Sequence, residues 1–265
     1  MKLGVIGCGK MGTALVGGIV GAGVCRASDV VVYDTHPSAA EGMASKLGVS
    51  VAHDCAAVVD ASDVALLCTK PQIFPEMLAG LGDSRDRLLV SIAAGIRIAA
   101  IESATEGRHR VVRVMPNTPA LIGKGASAYA LGSTATDADA ALTESLLGAV
   151  GYVCQVSESD LDAVTAVSGS GPAYFFLMLE AMIAEGIAQG LVPEIARDLA
   201  IHTAAGAAEL VISTGEPPAT LRENVTSPNG TTFAALQSFR SHGFEEIVRG
   251  AVAAAAERSR ELGRG

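Results

Sequence analysis

The chain has 265 residues, 49% hydrophobic and 18% charged, enough apolar length to bury well over half of its unfolded surface in one large or two modest domains. Its 28 acidic against 19 basic residues leave a formal net charge of -9, and no Lys/Arg stripe interrupts that excess, which argues against a nucleic-acid partner. With 4% aromatic residues and no Trp, the core has to be built from closely packed Ala, Val, Leu and Ile.

In chain order, short runs rich in Val, Ile and Leu at residues 2–6, 30–34, 64–68, 88–93 and 111–115 read as buried parallel strands. Helix-suited stretches at 11–20, 38–47, 72–81 and 98–104 lie between them, so the first part predicts an α/β, Rossmann-type doubly wound sheet. A glycine-bounded run at 125–131, a helix from about 137 to 147 and a strand at 152–156 complete a dinucleotide-binding domain expected over residues 1–158. From 159 to 265 the strand signals cease and proline and glycine punctuate helices alone. Pro172 sits near the start of a long apolar helix, Pro193 opens another, and Pro217 and Pro218 precede a short one ending near Val225. After Ser227-Pro228-Asn229-Gly230, two further helices at 231–240 and 244–262 end the chain. The 172–190 helix is apolar nearly all round, which predicts an all-helical C-terminal dimerisation domain in which a partner buries that surface; an ordinary monomeric core is the alternative.

No run reaches the roughly eighteen uninterrupted apolar residues of a membrane span. Lys10 breaks the N-terminal apolar run that otherwise passes for a signal peptide. The five scattered cysteines, none in a C-x-x-C pair, predict reduced thiols and a cytoplasmic protein. The five histidines show no metal-ligand spacing and no G-x-S-x-G is present, so neither a metal centre nor a serine nucleophile is expected.

Gly7-x-Gly9-x-x-Gly12 follows a predicted strand and opens a predicted helix. In that context the first glycine permits a tight turn, the second admits a pyrophosphate, the third lets helix pack on sheet, and the helix N-terminus supplies N–H groups. A ligand-free glycine turn is the bland alternative. Cys8, Lys10 and Met11 share the loop and are counted with the glycines as cofactor-binding. Asp34, at the end of the second strand, stands where an acidic side chain bonds the adenosine ribose of NAD and repels a 2'-phosphate, although Thr35 and His36 could accommodate one; NADPH and NADH both remain open. Thr69, Lys70 and Pro71 end the next strand at the edge where such sheets bind ligands, with a solvated surface Lys as the other reading of Lys70. Ala93 and Ala94, in Ser91-Ile92-Ala93-Ala94-Gly95, leave room for a flat ring. Asn117 and Thr118, in Met115-Pro116-Asn117-Thr118-Pro119, offer hydrogen-bonding groups to orient a nicotinamide; turn chemistry is the alternative for both loops.

Ser227 to Thr232 run into a helix N-terminus and form a plausible carboxylate cradle, against the alternative of plain helix capping. The Ser168/Ser170 pair likewise reads as capping. Three stretches belong together: the N-terminal glycines, the Asp162-Ala163-Val164-Thr165 run leading into Ser168-Gly169-Ser170-Gly171-Pro172-Ala173-Tyr174, and Leu221 to Thr232 with its Ser-Pro-x-Gly-Thr-Thr core. In this order, and over essentially the whole chain, the sequence resembles the pyrroline-5-carboxylate reductase family. The resemblance implies a homodimer, with higher assembly left open, that reduces L-1-pyrroline-5-carboxylate to L-proline with NADPH or NADH. It implies that Ser227, Pro228, Asn229, Gly230, Thr231 and Thr232 hold the substrate carboxylate, that Thr232 is the catalytic hydrogen-bond partner of the ring nitrogen, and that Glu158 and Asn224 touch the cofactor. The chain departs from the family pattern at Asn229, where Gly is common, at Asp34, where Ser or Asn is common, and at Cys55, where Asn is common. Asn is the next residue after Gly to tolerate positive φ.

Two other functions compete. A β-hydroxyacid dehydrogenase needs a Lys on the first long helix of the second domain, and Phe175 stands at that position. A dinucleotide-binding sensor without turnover is the rival of another class; the Thr231-Thr232 pair counts against it, and tight cofactor binding with no turnover on any cyclic imine would favour it.

Overall fold

The structure is a computed structural model and describes residues 1–263. It divides into two compact units, one comprising Met1–Ser170 and the chain from Ala255 onward, the other Gly171–Ala254. The first contains, in chain order, β1 (Leu3–Ile6), α1 (Lys10–Gly21), β2 (Val30–Tyr33), α2 (Pro37–Leu47), β3 (Ser50–Val51), α3 (Cys55–Asp60), β4 (Val64–Leu67) and α4 (Phe74–Ala79). β5 (Leu88–Ser91), α5 (Ile98–Ala104), β6 (Arg110–Met115), β7 (Gly125–Leu131), α6 (Asp137–Gly148), β8 (Gly151–Gln155) and α7 (Leu161–Val164) follow, and a π-helical turn over Thr165–Gly169 ends this run.

One eight-stranded sheet runs in the order β3-β2-β1-β4-β5-β6-β7-β8. Ile6 of β1 sits opposite Tyr33 of β2 and Leu67 of β4, and these strands with β5 and β6 are parallel, so their carboxyl ends share one edge. Chain order reverses on either side of β1, which makes the gap beyond Ile6 the topological switch point of the sheet. β7 breaks the parallel rule: it pairs antiparallel with β6, Val112 opposite Leu131.

Period-two alternation within the strands feeds a core on each face. Leu3 and Val5 pack with Leu15, Ile19 and Leu146 of α1 and α6, whereas Ile6 packs with Phe74 and Ile101 of α4 and α5. Strands buried on both faces carry apolar residues without interruption, as in Val64 to Leu67, where every residue is buried. Truncating a fully buried leucine such as Leu15 to Ala would cost about 2–5 kcal/mol.

Residues 159–170, assigned from the sequence to the helical part, pack with the sheet: Leu161 and Ala166 are fully buried in this unit. The last two turns of the final helix belong to it as well. Ser168 does not cap a helix as expected; its hydroxyl donates to the Ala126 carbonyl of β7 at 2.8 Å.

The second unit is helical. It contains α8 (Gly171–Ala188), α9 (Pro193–Thr214), α10 (Pro218–Asn224), α11 (Thr231–Ser241) and α12 (Phe244–Leu262) up to Ala254. Pro193 at the first position starts α9 and Gly215, at φ 67°, ends it. α8 and α9 pack closely because Gly186 has no side chain; a Cβ there would lie 3.3 Å from that of Ala196. The apolar surface of α8 is open in the single chain, with Phe175 and Leu177 each more than two-thirds exposed. The helical stretch Glu158–Ala188, with mean hydropathy 1.2, is long and apolar enough by length and composition to cross a membrane, although Asp160 and Asp162 interrupt its apolar run.

Candidate active site

At the switch point the three glycines have three different surroundings. Gly7 is at φ +104°, and a Cβ there would come within 2.7 Å of the Cys68 backbone. A Cβ on Gly12 would lie 2.2 Å from the Gly7 carbonyl oxygen. Gly9 has no atom within 4 Å of its Cβ position, so the middle glycine borders open space while its neighbours are required by the fold itself. Gly9 is also the N-cap of α1 and no side chain caps that helix, which leaves its first N–H groups without a side-chain partner, the arrangement that binds anions at helix N-termini. A cavity of about 610 Å3 opens here at Cys8, Gly9 and Lys10 and continues along α1 to Gly17 and Lys46.

Asp34 closes this turn on its second side. One carboxylate oxygen accepts the Cys8 N–H at 2.8 Å, and the other accepts the His36 N–H at 2.8 Å. Burial, followed by the Asp34 charge, pushes the Cys8 thiol up to about 12, and burial takes Cys68 to the same region. These thiols are therefore neutral packing groups.

Along the same edge, Thr69, Lys70 and Pro71 follow β4, Ala93 and Ala94 follow β5, and Asn117 follows β6. Lys70 is exposed, as is Ala94, whereas Ala93 is buried. The Thr69 hydroxyl oxygen is buried and has no protein partner. A buried hydroxyl left orphaned, an open Gly9 and an uncapped helix N-terminus together suit a dinucleotide lying along this edge.

Two expected cofactor residues are already engaged. The Asn117 amide nitrogen donates to the Ser168 carbonyl and hydroxyl oxygens at 3.2 and 3.3 Å, and its oxygen accepts the Ala126 N–H at 2.8 Å. Its side chain braces the edge loop against β7 and the π-helical turn. Glu158 accepts, on one oxygen, the Ile98 N–H at 2.7 Å and the Arg113 guanidinium at 3.0 Å. That oxygen takes the N–H of the first residue of α5.

In the second unit, the segment between α10 and α11 holds the remaining residues. Asn229 adopts φ +58°, the conformation for which Gly is the usual choice. Gly230 is held by close approach: a Cβ there would lie 2.4 Å from the Ser227 hydroxyl. Gly230 is the N-cap of α11, and no side chain caps that helix. The Ser and Thr hydroxyls therefore do not satisfy the helix end as plain capping would require, and the first N–H groups of α11 have no side-chain cap. Asn224 is exposed at the end of α10.

Comparisons with known proteins identify the family. Residues 158–262 match the family model described as pyrroline-5-carboxylate reductase dimerisation, and residues 2–95 match that of NADP oxidoreductase, coenzyme F420-dependent. The pyrroline-5-carboxylate reductase of Arabidopsis thaliana is 41% identical over 263 residues, 98% of this chain and 95% of the relative. The chain belongs to the pyrroline-5-carboxylate reductase family. That of Pseudomonas aeruginosa is also 41% identical, over 98% of this chain and 96% of the relative. Among solved structures, the reductase of Coxiella burnetii superposes with a TM-score of 0.93 at 32% identity, covering 98% of each chain. The Plasmodium falciparum enzyme, solved with NADP bound, gives 0.88 at 29% identity, covering 99% of this chain and 98% of that one. The chain is thus an oxidoreductase, with a Rossmann-type unit followed by helices of the dimerisation type. The apolar stretch ending at Ala188 lies inside the dimerisation match.

Proposed function

We propose that this chain reduces L-1-pyrroline-5-carboxylate to L-proline with NADPH or NADH, the last step of proline synthesis, as a cytoplasmic homodimer joined through its C-terminal helices. The observation that carries this reading is the uncapped N-terminus of α11, preceded by Ser227-Pro228-Asn229-Gly230, in a chain 41% identical to such reductases over nearly its full length.

Gly7, Cys8, Gly9, Lys10, Met11 and Gly12 seat the cofactor pyrophosphate, and Asp34 takes the adenosine ribose. Thr69, Lys70, Pro71, Ala93, Ala94 and Asn117 line its path along the sheet edge, and Asn224 and Glu158 add polar contacts. When bound, the reduced nicotinamide supplies a hydride. The loop Ser227 to Thr232 holds the substrate carboxylate on N–H groups and hydroxyls, and Thr232 hydrogen-bonds the ring nitrogen. A protonated imine is already electrophilic, so the loop works without Lys or His, and none occurs between residues 223 and 239. Acceleration then comes mainly from holding the imine carbon in near-attack geometry.

The test is loss of the near-ultraviolet absorbance of NADPH or NADH on adding the pyrroline substrate to the pure protein. Substrate-dependent oxidation is expected, slowed about ten- to a hundredfold in Thr232→Val, which removes one hydrogen bond to a charged group. No oxidation with either cofactor would end the proposal.

A further inference from the structure

The sheet-edge loop Ala93 to Arg97 is held by side chains that lie far from it in sequence. Arg97 is the N-cap residue of α5, and its guanidinium donates to Asp162 at 3.0 Å. The other Asp162 oxygen accepts the Ser259 hydroxyl at 2.7 Å, from a residue 97 positions later. Both Asp162 and Ser259 are buried, at 4% and 6% exposure. One helical turn before Asp162, Glu158 takes the N–H of Ile98, the residue after Arg97. Two carboxylates on one face therefore grip two successive residues of the α5 entrance.

The last turn of α12 closes the other side. Gly95 is at φ +78°, and a Cβ there would lie 3.2 Å from the carbonyl oxygen of Leu262, in the last turn of α12. The loop is thus pinned between the 158–162 segment and the returning C-terminal helix, with Asp162 bonded to both the loop's Arg97 and the helix's Ser259.

We infer that Asp162 is a positioning residue for hydride transfer: through Arg97 and Ser259 it fixes the backbone of Ala93 to Arg97, and with it the wall against which the nicotinamide lies. This rests on the reading that Ala93 and Ala94 contact the cofactor. A residue that supported only global folding would lower the melting temperature without loosening this loop selectively. Asp162 instead acts on one loop, and its effect belongs in kcat rather than in pyrophosphate affinity.

The experiment uses the full-length protein and the Ser259→Ala, Ser259→Thr and Asp162→Asn variants, with two readouts. In the cofactor-free protein, amide exchange in peptides covering residues 92–98 is expected to quicken at least about tenfold in Ser259→Ala and Asp162→Asn, while peptides of β1 and α1 stay protected. In the loaded enzyme kcat is expected to fall about ten- to a hundredfold with the NADPH dissociation constant within about threefold, since small misplacement costs rate more than binding. Ser259→Thr, which keeps the hydroxyl, is expected to restore both. If Asp162→Asn does not fold, the two Ser259 variants decide alone. Unchanged exchange with wild-type turnover overturns the clamp and leaves the cofactor reading standing. Loosened exchange with unchanged kcat overturns the proposal through the placement of the nicotinamide at Ala93 and Ala94.

Discussion

The Asn117 amide nitrogen donates to two oxygens of Ser168, 51 residues away, while its carbonyl oxygen holds the Ala126 N–H. Three hydrogen bonds from one side chain that is 8% exposed join the loop after β6, the strand β7 and the π-helical turn. Asn117→Ala would leave a largely buried N–H and carbonyl without partners, at about 1–3 kcal/mol, more than an ordinary surface substitution. Chemical denaturation checks this: the midpoint should fall with an unchanged slope. Asn117→Asp keeps the acceptor for Ala126 but loses the donors to Ser168, and an intermediate loss is expected.

The glycines of the N-terminal turn separate fold from function. Gly9→Ala places a methyl group in open space at an ordinary φ of -68°, so stability should change by less than about 0.5 kcal/mol while cofactor affinity drops at least about tenfold. Gly12→Ala drives a methyl group into the Gly7 carbonyl and should destabilise the apo protein by about 1–3 kcal/mol or more. Thermal melts beside cofactor titrations distinguish the two. Equal destabilisation by both would mean that Gly9 borders protein rather than ligand.

Asp34 places a carboxylate beside the Cys8 N–H, where the adenosine ribose is expected. Asp34→Ser should raise the preference for NADPH over NADH at least about tenfold by removing charge repulsion toward a 2'-phosphate. The ratio of kcat/KM for the two cofactors, measured in both proteins, is the check. An unchanged ratio would move the ribose away from this side chain.

His109 lies at the opposite edge of the sheet, 2% exposed, with Nδ1 facing the Arg87 N–H at 3.4 Å and Nε2 without a partner. Burial, and after it the neighbouring Arg108 and Arg87 charges, lowers its pKa below the ordinary 6.5. The unfolded chain then takes up the proton first. Its contribution to stability is complete above pH 6.5 and is lost as pH falls through the lower folded value. Denaturation midpoints measured from pH 7 downward should decline less steeply in His109→Gln than in wild type. Parallel curves would show that His109 titrates alike in both states.

The sequence made several of these features visible because each is a local pattern. The apolar runs of β1, β4 and β5 and the glycine spacing mark strand, turn and helix within a dozen residues, and the positive φ of Asn229 follows from Asn standing where Gly is usual. β3 escaped notice because two exposed residues carry no hydrophobic alternation. α3 escaped although Asp54, which accepts the Ala57 N–H at 2.7 Å, is an N-cap signal at its start. The reversed direction of β7 leaves no trace in its own composition, since pairing sense is decided by the neighbour it meets. The same holds for the Asp162 to Ser259 bond and the brace at Asn117: polar partners 51 to 97 residues apart are set by the fold and are invisible to any window of sequence.

The central claim is that a hydride passes from the cofactor held at the Gly7 to Gly12 edge to the imine carbon of a pyrroline carboxylate. The most direct test supplies the pure protein with L-1-pyrroline-5-carboxylate and reduced cofactor deuterated at its transferable position, and reads the product by mass spectrometry. The account predicts L-proline carrying one deuterium, on the ring carbon next to nitrogen that was the imine carbon. Unlabelled proline, or no proline from either cofactor, would contradict it.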